Sequence, residues 1–433
     1  TFYQEDPDLL ILALRFIMRA SAANLAVRNN KNSFINRMAN SQRFDGLFSW
    51  MSESNAIAVL NQPCKELDNP GIKYIAATRL GACRSVESLE ALVVASSGER
   101  EDIFERITRR KAIEALGRRK DPSTLAVIQK ALLSDDEQTV VNAVDSLITI
   151  GLPLTLEIKT ILLCLLQHSS AAVQRVSIQG LSRLNVDDCL PLIESLETHT
   201  NYLVSGAALA YLVRYARSTE RLEILSSRLS DPVVGIRRAT VIDLGDAAHQ
   251  SSLPALAAAA VSMPLRAKSA LRVLGGNREY FLNPFLQSIL VDDPRLLAYP
   301  SDLPPPSSED SIADYLRHRD EAKQYLGAKA LLELNSDQQQ QLILDLWNQH
   351  GSDYGVHYLI INSIGKLRLN SLSDLVLEAL NNTEPQYAKS RIAAVWGCVS
   401  LGLNDVRPTI ERLFLETHWD ALKQSCFRVL KNL

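Results

Sequence analysis

The densest group of acid–base side chains in the sequence lies between Asp314 and Asp320, where the chain reads Asp-Tyr-Leu-Arg-His-Arg-Asp. On a helix, Asp314 and His318 would be neighbours one turn apart, and Tyr315 and Arg319 would share another face. Carboxyl, imidazole and phenol groups in one place can deliver and remove protons. The stretch therefore predicts a proton-transfer site. The alternative is the ordinary start of an amphipathic helix.

Basic residues form a second set of candidates, in the run Arg109 to Lys120 and in the pair Arg237 and Arg238. Arginine suits the bidentate recognition of carboxylates and phosphates, so these positions predict binding of an anion. Arginines at helix ends are also common without any ligand, because they complement the helix dipole at its C-terminus. The formal net charge of −3 speaks against a protein that binds nucleic acid through its overall charge.

A repeated pattern organises most of the chain around these groups: a large apolar residue that Gly often follows. Successive anchors are 30 to 36 residues apart, except for one step of 58 residues between Leu274 and Leu332. This period fits a helix pair plus two turns, and such pairs must stack to bury their apolar faces. The anchors are Leu80, Leu116, Leu147, Leu181, Leu212, Leu244, Leu274, Leu332, Ile364, Trp396 and Leu430.

The repeat predicts an all-α fold: an α-solenoid of HEAT-like helix pairs, curved into a superhelix with a concave groove. A TPR array is the second choice, but the Trp, Tyr and Pro positions of that repeat are not in register. We expect an N-terminal helical cap at 1–60 and repeats at 61–275. An interrupted repeat with a Pro- and Ser-rich insertion would follow at 276–323, and further repeats at 324–433.

The insertion itself, residues 292–309, cannot be helical throughout because it holds many prolines and serines. A long irregular segment inside a compact array is usually functional or disordered. We expect it either to fold over the groove and exclude water or to be a solvated linker.

Two further residue types carry structural expectations. Glycines near the predicted helix ends are expected to adopt the left-handed conformation that ends a helix; they are Gly81, Gly117, Gly245, Gly275 and Gly365. The six cysteines occur singly, without a C-x-x-C pair, so neither a disulfide framework nor a zinc or other metal site is expected. We expect them to be small buried residues in a reducing, cytoplasmic compartment.

Three stretches resemble a known family. They are Asp231–Asp246 (DPVVGIRRATVIDLGD), Lys73–Pro122 with its two segments KYIAATRLG and TRRKAIEALGRRKDP, and Tyr315–Ala330. The first resembles the HEAT-type repeat of the phycobilin lyases. The second is similar to the E/F type of these enzymes, and most similar to the phycoerythrobilin lyases and lyase-isomerases of phycoerythrin. The similarity extends over roughly residues 40–430.

The resemblance implies an enzyme that attaches phycoerythrobilin through a thioether to a cysteine of a phycoerythrin α-subunit. Some members also isomerise the product to phycourobilin, and the sequence leaves this step open. The nucleophile belongs to the acceptor protein, which agrees with the lack of a catalytic triad or phosphate loop. The implied setting is the cytoplasm of a photosynthetic cell with phycobilisomes. The bilin would be a substrate, with no permanently bound cofactor, no nucleic-acid partner and no transmembrane segment.

The resemblance also implies roles for individual residues. The bilin propionates would be bound by Arg109, Arg110, Arg237 and Arg238. The pyrrole nitrogens would donate to Asp243 and Glu114, and Tyr74 would stack on the flat tetrapyrrole. The catalytic candidates are Tyr315, His318 and Asp320, with Tyr315 the first choice for a proton donor and His318 the second. Two alternatives remain: a non-catalytic HEAT-repeat adaptor or chaperone, and a nucleic-acid-binding protein of the base-repair type.

Overall fold

The computed structural model of the protein describes residues 48–97, 101–275 and 283–431. This part of the chain consists of α-helices and short 3-10 turns, and it contains no β-strand, only an isolated bridge between Ala259 and Ala298. The prediction of an all-α fold built from stacked HEAT-like helix pairs is thereby confirmed. Within these ranges, no helix is both long enough and apolar enough to cross a lipid bilayer.

The chain divides into two compact units, one ending at Val186 and the other beginning at Asp187. In the first unit the helices α2, α4, α6 and α8 pack on one another in order, and α3, α5 and α7 alternate with them. The helices are α1 (Glu53–Asn61), α2 (Ile72–Leu80), α3 (Val86–Ala95), α4 (Ile103–Arg119), α5 (Leu125–Ala131), α6 (Glu137–Ile150), α7 (Leu156–Leu165) and α8 (Ala171–Arg183).

The second unit contains two runs of stacked helices with the interrupted repeat between them. Helices α10, α12 and α14 form one run, α19, α21 and α23 form the other, and α17 packs on α19. The helices are α9 (Leu190–Glu194), α10 (Tyr202–Ala216), α11 (Thr219–Ser227), α12 (Val234–Ala247), α13 (Leu253–Ala258), α14 (Met263–Leu274), α15 (Pro284–Val291), α16 (Glu309–Leu316), α17 (Glu321–Glu333), α18 (Ser336–His350), α19 (Tyr354–Leu367), α20 (Ser373–Asn381), α21 (Ala388–Ser400), α22 (Arg407–Glu416) and α23 (Asp420–Leu430).

The repeat anchors lie on the second helix of each pair, and most of them are buried. Leu116 and Leu244 are fully buried, whereas Leu274 and Trp396 are half-buried. The predicted domain boundaries stay a prediction. The division into two compact units falls between Val186 and Asp187, inside the predicted range 61–275. Most of the predicted cap, 1–60, lies outside the described residues.

Glycine has a different role from the one predicted. Of the five glycines, only Gly275 adopts the left-handed conformation, with φ of 63°. Gly117, Gly245 and Gly365 lie inside second helices, where a β-carbon would be 2.6 to 2.9 Å from the neighbouring second helix. The prediction of a left-handed helix end is therefore wrong for these three, because they are needed for close helix packing. It is also wrong for Gly81, which ends α2 in the right-handed conformation with φ of −58°. The left-handed residues come three positions later, at Lys120, Ala248 and Arg368.

Five of the second helices begin on an Asp or Asn whose side chain accepts a hydrogen bond from the first turn. Asp102 accepts from the backbone N–H groups of Phe104 (2.8 Å) and Glu105 (2.9 Å). Such caps satisfy donors that the helix leaves unpaired. The other acidic or amide caps are Asp136, Asn201, Asp320 and Asp353. The cap residue therefore fixes where these five second helices start.

The cysteines agree with the expectation at all positions but one. Cys64, Cys83, Cys189, Cys398 and Cys426 are buried, whereas Cys164 is exposed, and all six are free thiols. Burial raises the pKa of the Cys398 thiol to about 12, so it stays protonated and unreactive.

The Pro-rich segment (residues 292–309) is irregular, as predicted, apart from a 3-10 turn at Pro294–Leu296 and the start of α16. Its backbone is held at Ala298, whose N–H donates to the Ala258 carbonyl at 2.7 Å. The hydroxyl of Tyr299 donates to the Pro294 carbonyl at 2.6 Å. These contacts hold the segment at residues 294–299, unlike a solvated linker, and its folding over a groove to exclude water stays a prediction.

A buried carboxylate anchors the start of this segment. Asp292 is 1% exposed and accepts hydrogen bonds from the Arg266 guanidinium and from the hydroxyls of Tyr325 (2.7 Å) and Tyr358. Its carbonyl accepts from Asn362 Nδ2 at 2.8 Å. Burial, followed by the Asp292 charge, raises the pKa of both tyrosines, so they remain donors. Because the buried charge is paired and its acceptors are used, the network fixes the segment to the helices around it.

Candidate functional site

The centre of the candidate site is a contact between Arg237 on α12 and Asp320, the residue that caps α17. Arg237 is fully buried, and its Nη2 donates to Asp320 Oδ1. Its Nη1 donates to the carbonyls of Asp231 (2.7 Å) and Pro232 (2.9 Å). The guanidinium therefore ties the loop before α12 to the start of α17. Asp320 also keeps its capping bond from the Ala322 N–H, at 2.8 Å.

The neighbouring arginine makes a parallel connection. Arg238 Nε donates to both carboxylate oxygens of Glu321, at 3.0 and 2.9 Å. Glu321 is the first residue of α17 and is largely buried. The structure thus brings the predicted residue Arg237 to the predicted residue Asp320, and Arg238 to the adjacent Glu321, each across 83 positions of sequence.

A cleft of about 350 Å³ lies beside this contact. The Pro-rich segment contributes one wall, and the start of α17 and the loop before α12 contribute the rest. Its volume is at the lower end of ligand pockets, roughly 300–1,000 Å³, so it can hold part of an extended ligand. The cleft is lined by Pro232, Arg237, Pro300, Asp302, Leu303, Pro304, His318, Asp320 and Lys323.

The predicted proton donor Tyr315 supports a wall of the cleft. Its hydroxyl donates to the Pro304 carbonyl at 2.8 Å, and the Lys323 ammonium lies 5.9 Å from the centre of its ring. The side chain is half-buried. Tyr315 therefore holds the Pro-rich segment in place next to the cleft, and its catalytic role stays a prediction.

His318 lines the cleft directly and is exposed. Its Nδ1 accepts a hydrogen bond from the backbone N–H of Asp320 at 3.0 Å. Its other ring nitrogen, Nε2, lies 3.4 Å from Nζ of Lys323. The imidazole is thus hydrogen-bonded to the helix cap on one side and faces a lysine on the other.

The Nδ1 contact of His318 also recurs in other repeats. His168 Nδ1 accepts from the Ser170 N–H, and His199 Nδ1 accepts from the Asn201 N–H, each at 3.0 Å. In every case the histidine stands two residues before the residue that caps a second helix. This contact therefore belongs to the repeat turn. What distinguishes His318 is the group that faces its Nε2.

The cleft contains charges of both signs. Arg237 and Asp320 are paired with each other, so their charges are largely compensated. Asp302 lines the cleft and has no side-chain partner among the residues that the structure describes. A ligand with both hydrogen-bond donors and a negative group would match Asp302 on one side and Lys323 on the other.

The other predicted arginines lie in the first unit and are engaged in contacts between helices. Arg110 donates to both oxygens of Asp136, Nε to Oδ2 at 2.8 Å and Nη2 to Oδ1 at 2.5 Å. Burial raises the pKa of the Asp136 carboxyl, but hydrogen bonds from Arg110 and Thr139 outweigh it and lower that pKa to about 2. Arg109 is buried and donates to Ser134 Oγ at 3.0 Å. These contacts join α4 to the start of α6.

The remaining first-unit candidates join α4 to α2. Lys111 Nζ lies 2.5 Å from Glu114 Oε2 and 4.5 Å from the centre of the Tyr74 ring. Arg118 Nη2 donates to the Thr78 carbonyl at 2.8 Å. The bilin-binding roles of Tyr74 and Glu114 stay predictions. In this structure both side chains lie next to Lys111.

Asp243 is buried in the second unit but is not part of the cleft lining. Its Oδ2 would lie 2.6 Å from a β-carbon at Gly206, so the carboxylate sits against α10. Its predicted role towards pyrrole nitrogens stays a prediction.

Two cleft residues were missed by reasoning from the sequence, Asp302 and Lys323. Asp302 lies within the Pro-rich segment, so the segment itself was the available signal. Lys323 is a single lysine in the first turn of α17 and carries no pattern that would distinguish it.

Comparison with known proteins places this architecture in a family. A family model of HEAT repeats matches residues 158–245. The chain is 29% identical over 392 residues to the "Uncharacterized phycocyanin operon protein Y" of Pseudanabaena tenuis, covering 88% of this chain and 91% of that protein. It is 26% identical over 349 residues to the bilin biosynthesis protein CpeY of a Synechococcus species, covering 78% and 83%.

A further relative, the bilin biosynthesis protein PecE of a Nostoc species, is 33% identical over 227 residues, covering 52% of this chain and 87% of PecE. Among solved structures, the complex of CpcE and CpcF of phycocyanin lyase from Nostoc is similar with a TM-score of 0.46 and 19% identity, covering 55% and 92%. The chain belongs to the phycobilin lyases of the E/F type, the HEAT-repeat class of bilin biosynthesis proteins. Its relatives support a phycobilin lyase role in general.

Proposed function

We propose that the protein attaches phycoerythrobilin through a thioether bond to a cysteine of a phycoerythrin α-subunit. The observation that carries the proposal is the match to the bilin biosynthesis protein CpeY along 78% of the chain. The choice of bilin and acceptor rests on the resemblance of Lys73–Pro122 to phycoerythrobilin lyases. The cleft in the second unit supplies a place where part of the bilin can be held.

The reaction is an addition in which no group leaves. The sulfur of the acceptor cysteine forms a bond to the exocyclic ethylidene carbon of ring A. The electron pair of the double bond takes up a proton at the ring carbon, and the thiol loses one. Because the acceptor provides the nucleophile, the enzyme has to hold the two partners in the right orientation and supply a proton.

Different residues of the cleft suit different parts of holding the bilin. Asp302 can accept hydrogen bonds from pyrrole N–H groups, because a carboxylate is an acceptor and has no partner here among the described residues. Pro300, Leu303 and Pro304 form an apolar wall that shields one side of the tetrapyrrole from water.

Isomerisation to phycourobilin is the second part of the proposal. It moves a double bond from the bridge between rings A and B into ring A, so one proton is added at the bridge carbon and one is removed from the ring. His318, exposed in the cleft, and Tyr315, behind its wall, are the acid–base groups next to the proposed bilin position. If the product keeps the absorbance of attached phycoerythrobilin, this part fails and attachment stands.

The test is incubation of the purified protein with phycoerythrobilin and apo-phycoerythrin α-subunit. We expect a bilin that stays with the subunit after denaturing electrophoresis, at a rate above the spontaneous reaction. Replacing single acceptor cysteines by serine identifies the attachment site. Attachment no faster than the spontaneous rate would contradict the proposal. Tight binding of a partner protein without any bilin binding would instead support the adaptor alternative.

A further inference from the structure

Lys323 is the cation of the cleft that has no carboxylate partner among the described residues. Arg237 and Arg238 are bound to Asp320 and Glu321. Within the described part of the chain, the Lys323 ammonium lies near a ring nitrogen of His318 and the face of the Tyr315 ring. An anionic ligand entering the cleft would therefore meet an uncompensated positive charge at Lys323, whereas the charge of Arg237 is compensated by Asp320.

The tautomer of His318 follows from its hydrogen bond to the helix cap. The backbone N–H of Asp320 can only donate, and it points to Nδ1 at 3.0 Å. Nδ1 must therefore be the unprotonated nitrogen, and the ring proton is on Nε2. The side that faces Lys323 is an N–H donor.

Two donors thus face each other. The Lys323 ammonium has three N–H groups and no acceptor, and Nε2–H of His318 is a donor as well. Their nitrogens are 3.4 Å apart, yet they cannot bond to each other. An acceptor oxygen can bond to both at ordinary N–H···O distances of about 2.7–3.2 Å. A carboxylate is the best such acceptor, because it also compensates the lysine charge.

We propose that Lys323 and His318 bind a propionate carboxylate of the bilin, the role that the family resemblance implies for Arg109, Arg110, Arg237 and Arg238. This inference rests on the proposed function, since it takes a bilin as the ligand. It assigns a new residue, Lys323, and gives His318 a binding role through Nε2–H.

A second observation supports an anionic ligand here. Arg237 is fully buried and lines the cleft, and its Nε has no hydrogen-bond partner among the described residues. A buried donor without a partner is costly, and a nearby negative charge would reduce that cost. Asp302 lines the same cleft, so the ligand must also offer donors. A bilin offers both, with carboxylates at its propionates and N–H groups at its pyrroles.

The test compares free phycoerythrobilin with its dimethyl ester, which has the same ring system without negative charge. Binding is measured by titration of bilin absorbance for the wild-type protein and for Lys323→Gln and Lys323→Arg. Lys329→Gln is the matched control, because Lys329 is on the same helix but outside the cleft lining. His318→Gln keeps an N–H donor, whereas His318→Ala does not.

For the wild-type protein we expect the free acid to bind roughly tenfold more tightly than the ester, as for one charge-assisted contact. Lys323→Gln should bring this ratio close to one while leaving binding of the ester unchanged. Lys323→Arg and Lys329→Gln should keep the ratio. His318→Ala should lower the ratio more than His318→Gln.

A ratio unchanged in Lys323→Gln would overturn the inference. So would an equal loss of affinity for acid and ester, because that is the result of a structural defect. Failure of the wild-type protein to bind either form would overturn it together with the proposed function. Attachment that proceeds normally with a ratio insensitive to Lys323 leaves the lyase proposal standing and removes only this carboxylate site.

Discussion

Arg237 on α12 and Asp320 at the start of α17 form a charge-assisted hydrogen bond across 83 residues of sequence. A similar pair occurs in the first unit, where Arg110 on α4 binds Asp136, the cap of α6. In both cases an arginine of one second helix binds the carboxylate that starts a later second helix. The interrupted repeat separates the members of the second pair, and the Pro-rich segment between them becomes a wall of the cleft.

The Arg237–Asp320 pair should be important for stability. Arg237→Ala leaves the carbonyls of Asp231 and Pro232 without their donor and removes the partner of Asp320. We expect a loss of about 3 kcal/mol in the free energy of unfolding, as for breaking a buried ion pair. The measurement is equilibrium unfolding in urea.

Arg238→Ala is the control for this prediction. Its guanidinium is partly exposed, so we expect a smaller loss, about 1 kcal/mol. An equal effect of the two substitutions would show that burial of Arg237 contributes nothing special to stability.

The second prediction concerns the glycines that allow close helix packing, and it compares two glycines of α12. A β-carbon at Gly245 would lie 2.8 Å from Ser269 Cβ on α14, whereas one at Gly235 would meet no atom within 4 Å. Gly245→Ala should therefore destabilise the protein by about 1–3 kcal/mol through overpacking. Gly235→Ala should be neutral or stabilising by up to about 1 kcal/mol, because Ala favours helix. Thermal unfolding of both variants decides the matter, and a destabilising Gly235→Ala with a silent Gly245→Ala would reverse the interpretation.

The third prediction concerns acid sensitivity of the first unit. The pKa of Asp136 is lowered from 3.8 to about 2, so its pair with Arg110 stabilises the fold above pH 4 and is lost as the pH falls towards 2. Asp136→Asn should cost about 1–2 kcal/mol at pH 7, a value reduced by partial exposure to solvent. Roughly half of this cost should be gone at pH 3, because the Asp136 carboxyl of the unfolded chain is then largely protonated while that of the folded protein is still ionised. Urea unfolding at both pH values checks this; a cost that is the same at both would contradict it.

Much of the architecture was predictable because it depends on local signals. The repeat anchors, the capping residues such as Asp320 and the irregular Pro-rich segment each follow from residue type and spacing. The segment's anchor, Asp292, was not predictable as a network centre, since its partners Arg266, Tyr325 and Tyr358 lie up to 66 residues away.

The site was only partly predictable for the same reason. His318 and Asp320 were found because acid–base groups cluster around them in sequence. That Arg237 meets Asp320 depends on the path of the whole interrupted repeat, which no local pattern encodes. The glycine prediction was wrong at Gly117, Gly245 and Gly365 because a glycine near a helix end and a glycine at a helix contact look alike in one sequence. The repeated His168 and His199 turns were readable, since each His stands two residues before a cap.

The central claim is that this phycobilin lyase works through the cleft of its second unit. The most direct measurement is the initial rate of covalent attachment of phycoerythrobilin to apo-phycoerythrin α-subunit, for the wild-type protein, Asp302→Asn and Asp310→Asn. Asp310 is an exposed residue of α16 that does not line the cleft, so it matches the chemical change elsewhere. We predict a rate reduced roughly tenfold or more for Asp302→Asn, as for loss of one charge-assisted contact, and an unchanged rate for Asp310→Asn. If Asp302→Asn and Asp310→Asn both attach the bilin at the wild-type rate, the claim is contradicted.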